Sequence, residues 1–404
     1  MQIQPNVLPN RRARWPLALL ACAFAPTSFA DEAPTGFDLL SNGMVTQAEF
    51  NHALEAYEGR DTIADGLGPV YNAQSCAECH QSPVTGSGSQ VTVVRAGIFD
   101  GRRFIDLPGG SLVPDRAIDA AIQPQVPNQA NVRTLRMSLN TLGDGYVEAI
   151  ADDTLLQIAQ NQPGQSGGAV RGEAVLVDVL EAPGAQRVGR FGWKDQHASL
   201  LSFSGDAYRN EVGITNPLVP TENTANGRSV AAFDSVADPE DPGDDIEALT
   251  VFMRASKAPP RDATRAASAA AQQGERVFSQ IGCNVCHVPA IVTAPAGTAI
   301  NGGTFVVPAA LGNKTIHPYS DFLLHDVGTG DGIVQNGPPT TRNKVRTMPL
   351  WGLRAHSRLL HDGSALTLTD AVNRHRGEAQ AAAQRFAGLP PDARNKLLAF
   401  LQSL

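Results

Sequence analysis

The sequence predicts a mainly α-helical protein of two halves, with long loops and minor β structure. Three observations carry this. A Cys-x-x-Cys-His pentad occurs once in each half, at residues 76–80 and 283–287. Each half offers helices with recognisable caps. Gly 38 and Pro 28 among 404 residues supply long connections, since glycine loosens and proline interrupts regular structure. Nothing reads as a doubly wound parallel sheet, which would alternate strand and helix.

The pentads, Cys76-Ala77-Glu78-Cys79-His80 and Cys283-Asn284-Val285-Cys286-His287, hold four of the five cysteines. This spacing is the covalent attachment pattern of c-type haem. Two thiols add across the porphyrin vinyl groups, and the next histidine reaches the iron as proximal ligand. A split four-cysteine zinc site and two thioredoxin-type redox pairs compete. Zinc gives no reason for a histidine directly after both pairs, and a redox pair usually comes with a βαβ context that is missing here. The expectation is two covalently bound haem c groups, held by Cys76, Cys79, His80, Cys283, Cys286 and His287.

In the first half, a helix is expected over residues 47–58, with Thr46 and Glu49 as a capping box and Gly59 at its end. Residues 81–145 read as irregular, apart from a β-prone piece at 91–95. A helix is expected from Asp152 to about Gln160, a strand over 175–180, and a helix from Lys194 to about Asn210. The acidic, proline-rich stretch 238–245 introduces a helix over 246–256. Residues 258–262 read as a linker, giving an N-terminal haem domain at 31–257 and a C-terminal cytochrome c domain at 258–404. The second domain opens with a helix through Gly274 to Phe278 that runs into Cys283. It ends with a helix over 392–401, whose Leu397, Leu398, Phe400 and Leu401 form an apolar side that would cross the first.

Residues 1–30 have the three parts of a secretory signal: Arg11, Arg12 and Arg14, an apolar run over 15–26, and small residues at 28–30. Leu19-Leu20-Ala21-Cys22 weakly resembles a lipoprotein box, so anchoring through Cys22 stays open beside a periplasmic location. No other stretch approaches the ~20 apolar residues needed to span a bilayer. Loss of residues 1–30, with their three arginines and no acids, would take the formal charge from −8 to −11. Without a basic cluster, such a chain is a poor nucleic-acid binder.

Beyond the pentads, several motifs resemble one superfamily. Pro349-Leu350, His361-Asp362-Gly363 and an expected helix over 368–376 look like bacterial dihaem cytochrome c peroxidases, to which the enzyme that matures methylamine dehydrogenase is related. Gly66-Leu67-Gly68-Pro69, Gly189-Arg190-Phe191-Gly192-Trp193-Lys194 and Arg374-His375-Arg376-Gly377-Glu378-Ala379 are most similar to the dihaem oxidoreductase branch, once labelled thiol oxidoreductases. The resemblance covers most of the chain. It is specific after residue 258 and at 189–215, and loose at 81–145.

The resemblance implies roles by position. In the peroxidases a methionine fourteen residues after the His-Asp-Gly histidine is the distal ligand of the second haem. That spacing from His361 lands on His375, and a histidine there should lower the haem potential relative to methionine. Met348 is the rival ligand, and without the family His375 reads as a solvent-facing residue between two arginines. The family tryptophan between the haems corresponds to Trp193. The leucine seven residues later corresponds to Leu200, while Phe203 stands in the glutamine position. Glu211-Val212-Gly213 matches the glutamate motif two residues early. The implied glutamate would handle the peroxide protons. Read alone, Glu211 is a helix-end surface acid and Trp193 a core tryptophan; Lys194 and His197 are weaker candidates for the same pocket.

The resemblance thus implies an exported dihaem c-type oxidoreductase that reduces hydrogen peroxide or another small oxidant. Electrons from a periplasmic donor, such as a small cytochrome c or cupredoxin, would enter at the C-terminal haem and pass to the N-terminal one. A non-catalytic electron carrier and a peroxide-dependent modifier of a partner protein remain alternatives. The peroxidases also hold a calcium ion between their domains, so Ca2+ is raised as a further cofactor with no residues assigned to it.

Overall fold

The computed structural model describes residues 1, 2 and 30–404. The expected signal segment, with Cys22, lies outside the described residues apart from its ends. Among the described residues no helix is long and apolar enough to cross a membrane.

The mainly α expectation is corrected. The described residues are 33% helical and 16% strand, with several small sheets. The difference arises largely within residues 81–145, where the sequence reads as irregular apart from the β-prone piece at 91–95. There Thr92–Phe99 is the centre of a four-stranded antiparallel sheet. One edge of that strand pairs with Phe104–Asp106 and Leu112–Val113, and the other with Val132–Met137. Two of the strands are only two or three residues long, and Gly and Pro turns separate them. No period-2 run is long enough to announce itself.

Several helices match their local signals. Gln47–Glu58 carries the expected capping box from Thr46 and Glu49. Asp244–Ala255 places three acids in its first turn, where they complement the helix dipole. Asp152–Ser166 runs beyond its expected end, through Pro163, and stops at Gly167 in the left-handed region. The expected helix over 194–210 starts only at Leu200. Ser199 caps it by accepting from the Leu201 and Ser202 amides, and Asp195 has φ +51°, which no α-helix tolerates. After Ala207 the helix widens into a π turn, Tyr208–Val212.

The C-terminal helix Pro391–Leu401 crosses Ala269–Gln280, as its apolar side implies. Phe400 meets Phe278 with ring centroids 5.2 Å apart. A Cβ on Gly274 would lie 1.9 Å from the Lys396 carbonyl, so the close crossing requires glycine there.

The largest apolar core gathers Phe50, Tyr146, Phe252 and Leu200 with Ile291, Ile316, Phe322 and Trp351. It therefore runs across residue 258. Asp31–Glu32 adds to this continuity by pairing in parallel with Lys314–Ile316.

A buried charge hub stands beside this core. Glu148, 0% exposed, accepts from Arg254 Nε at 2.6 Å and Nη2 at 2.9 Å, from the Leu200 amide at 2.8 Å and from Asn301 Nδ2 at 2.9 Å. Leaving one member of such a pair buried and alone costs about 3–5 kcal/mol. Arg254→Met should destabilise the protein by that order in chemical denaturation. Glu148→Leu combined with Arg254→Met should recover much of the loss. Additive losses would show that Glu148 is satisfied without Arg254.

Candidate functional site

The two pentads fold alike. Cys76–Glu78 and Cys283–Val285 are single 3₁₀ turns. In each, the histidine amide donates back to the first cysteine carbonyl, at 3.0 Å for His80 and 2.9 Å for His287. A helix then packs an aromatic ring against each imidazole. Tyr57 meets His80 at 6.3 Å and Phe278 meets His287 at 6.2 Å between centroids.

The imidazoles share one orientation device. His80 Nδ1 lies 2.6 Å from the Leu139 carbonyl, and His287 Nδ1 lies 2.9 Å from the Tyr319 carbonyl. A carbonyl can only accept, so Nδ1 carries the proton and Nε2 keeps its lone pair. Metal-binding histidines are commonly fixed this way. Burial pushes both histidines down to about 4, which keeps them neutral.

Each pentad lines a cavity. One, of about 430 Å³, is walled by Cys76, Cys79, His80, Arg95, His197 and Glu211 among others. The other, of about 350 Å³, is walled by Cys283, Cys286, His287, Met348, His361 and His375 among others. Both volumes suit a small-molecule or cofactor site. All four thiols are free, and burial holds Cys76 up at about 12 and Cys79 at about 11. Thiols kept protonated are poor redox nucleophiles. Paired free thiols, an adjacent neutral imidazole and a cavity at each pentad fit a covalently held haem.

His375 stands in the cavity of His287, just beyond the helix Leu368–Asn373, which Thr367 caps through the Asp370 amide. Its Nδ1 donates to the Ala371 carbonyl at 2.8 Å, leaving Nε2 free like the two pentad histidines. Burial again lowers its pKa. Met348 lines the same cavity.

Glu211 lies in the π turn and lines the His80 cavity. Asn72 Nδ2 donates to its Oε2 at 2.7 Å, and its carbonyl accepts from the Asn72 and Ala73 amides. Burial raises the carboxyl pKa, against the opposing pull of Arg95 and the Asn72 hydrogen bond. Two motifs set its position by backbone contact. A Cβ on Gly68 would lie 2.5 Å from Gly213 Cα, and Gly213 itself has φ +89°. Gly66-Leu67-Gly68-Pro69 and Glu211-Val212-Gly213 therefore pack directly on each other.

Trp193, 7% exposed, lines both cavities. Its Nε1 donates to the Met137 carbonyl at 2.7 Å, and its own carbonyl accepts from the Arg346 amide at 2.9 Å. His361 meets the indole edge-on at 6.1 Å. Lys194 lines neither cavity. Its Nζ faces Asp331 Oδ1 at 3.4 Å and donates to the Thr341 carbonyl at 2.7 Å. Burial pushes it down to about 8 despite Asp331. His197 does line the first cavity, with Nε2 3.0 Å from Asp206 Oδ2.

The sequence reading left three participants unassigned. Arg95 and Met137 line the first cavity, and Met137 also lines the second. Buried His325 lies between Asp321 at 2.8 Å and Glu378 at 2.9 Å, next to Cys286. The stretch Asp321-Phe322-Leu323-Leu324-His325 carried a signal for the last, since its acid and histidine stand four residues apart.

No curated protein matches the chain. Among solved structures, hydrazine synthase of Kuenenia stuttgartiensis is similar at 15% identity and a TM-score of 0.42, covering 99% of this chain and 100% of that one. A MauG-like protein associated with microbial copper homeostasis is similar at 13% identity and a TM-score of 0.42, covering 97% of this chain and 95% of that one. The family model described as "Di-haem oxidoreductase, putative peroxidase" matches residues 119–404, a stretch that contains the second pentad and begins after the first. With well over half its length matched, the chain belongs to this di-haem oxidoreductase family and has a dihaem redox function.

Proposed function

We propose that the protein is an exported peroxidase whose electrons pass from a C-terminal to an N-terminal haem c. One observation carries the reading: Trp193 lines both cavities, with His287 and His375 in one and His80 and Glu211 in the other. Cys76, Cys79 and His80 would hold one haem, and Cys283, Cys286, His287 and His375 the other. When bound, the haems supply the electrons and a coordination position for the oxidant.

The chain's own residues supply position and protons. His80 and His287 each present a neutral Nε2, fixed by a carbonyl at Nδ1. His375 presents a third in the second cavity and would hold that haem's iron together with His287. The His80 cavity instead faces Glu211, a carboxylate that can take a proton from one peroxide oxygen and return it to the other. Asn72 holds that carboxylate in place, and Arg95 favours its ionised form. Trp193 is an aromatic bridge between the cavities, fixed at Nε1 and at its carbonyl. Export is supported by the charged and apolar pattern of residues 1–30 and by the extracytoplasmic attachment usual for c-type haem. A small periplasmic cytochrome c or cupredoxin would serve as donor.

Mass spectrometry of the mature protein should show two covalent haems. Replacing Cys76 with Cys79, or Cys283 with Cys286, by alanine should remove one haem and spare the other. A wild type holding free dithiols or zinc would end this reading.

His375→Ala should convert a low-spin signal to high-spin, while Met348→Ala leaves it low-spin. A histidine–methionine charge-transfer band in the near infrared of the oxidised wild type would instead make Met348 the ligand.

Glu211→Gln should slow reoxidation of the reduced protein by hydrogen peroxide about 10²-fold or more, with both haems retained. The acceptor form is the carboxylate, and burial raises its pKa. The wild-type rate should therefore fall, as pH drops, at a higher pH than an ordinary glutamate would give. A variant with unchanged peroxide kinetics removes Glu211 from the site.

A further inference from the structure

Four residues line both cavities: Met137, Ser138, Trp193 and Arg346. Only Arg346 carries a charge. Other arginines serve one side alone, Arg95, Arg136 and Arg209 in the first cavity and Arg358 and Arg385 in the second. Arg346 is 6% exposed, and the wall fixes its stem. Its amide donates to the Trp193 carbonyl, and its Nε donates to the Gly192 carbonyl at 2.8 Å.

The outer fork of this guanidinium is unmatched. Among the described residues, neither of its terminal nitrogens makes a hydrogen bond. Asp195 is the nearest acid, 3.9 Å from Nε, beyond hydrogen-bonding reach. Both Asp195 oxygens are enclosed without any hydrogen-bond partner. With Nε spent on Gly192, a buried planar guanidinium has two terminal nitrogens left and can offer one to a carboxylate on each side. A haem held in either cavity would bring propionate carboxylates with it.

We propose that Arg346 is a counter-ion common to both cofactors, binding a propionate of the haem in each cavity and raising both reduction potentials from one position. Ferric haem carries one more positive charge than ferrous haem. A cation at the wall therefore disfavours the ferric state on either side, and low-dielectric surroundings strengthen the effect. The inference rests on the two haems alone and is independent of the peroxidase reading, because its test uses no peroxide.

The test is a spectroelectrochemical titration of the holoprotein as wild type, Arg346→Met and Arg346→Lys. In the Met variant both haem equilibria should shift towards ferric by tenfold or more, about 59 mV per tenfold for a one-electron couple. The Lys variant keeps the charge but loses the fork, and should move both haems the same way by a smaller step. It carries the test if the Met variant fails to load haem. A shift at one haem only would assign Arg346 to a single cavity and overturn the sharing. Unchanged potentials with a lowered Tm would make Arg346 a clamp on Gly192 and Trp193 and nothing more.

Discussion

The arrangement depends on how the chain is held at residues 192–195, the wall between the two cavities. One indole has to face both sides, so it cannot be allowed to turn. The Met137 carbonyl holds its Nε1 and the Arg346 amide holds its carbonyl. Its neighbour Lys194 points away and is pinned to Asp331, which Arg136 also pairs at 2.6 Å. The next residue, Asp195, takes a positive φ that turns the chain out of the wall. The backbone of Met137, Thr341, Arg342, Lys344 and Arg346 and the side chains of Asp331 and Arg346 therefore converge on one segment. Small displacements at such a point are expensive, because packed interiors transmit strain instead of absorbing it.

The buried charges fit this picture. Pairs such as Arg254 with Glu148, or Arg136 with Asp331, contribute little net stability, since desolvation cancels much of their attraction. Their geometric demand is more informative. Glu148 needs four donors from residues 200, 254 and 301 at once, which fixes three segments of the chain relative to one another. Arg187 and Arg190 do the same for Asp152, the first residue of the helix Asp152–Ser166. These hubs lie close to the chain that forms the cavity walls, where an error of an ångström would matter most for electron transfer.

Much of the local structure was legible because it is announced locally. Thr46 and Glu49 mark a helix start whatever surrounds them, and the pentads fold into the same turn in both halves. The crossing of Ala269–Gln280 and Pro391–Leu401 followed from one apolar side on the last helix. Of the sheet around Thr92–Phe99, only the β-prone start at 91–95 was legible. Its partners lie as far away as Met137, which pairs with Thr92, and two of their strands are too short to show a period. Of the site, Glu211 and Trp193 could be singled out only by resemblance. That they line one cavity, and that Trp193 lines a second, depends on tertiary contacts such as Gly68 against Gly213. Arg346 gave no signal in the sequence. An arginine in a two-residue strand is ordinary until it is seen to line both cavities.

On the proposed function the two cavities would hold haems of different character, one with His375 as a second ligand and one left open beside Glu211. Electron paramagnetic resonance of the holoprotein, followed through a reductive titration, tests it most directly. Two distinct haem signals in equal amount are expected. One is low-spin in every ferric state, and the other has a high-spin form in at least one redox state. Two low-spin haems throughout the titration would contradict it, and would leave an electron carrier with no place for an oxidant to bind.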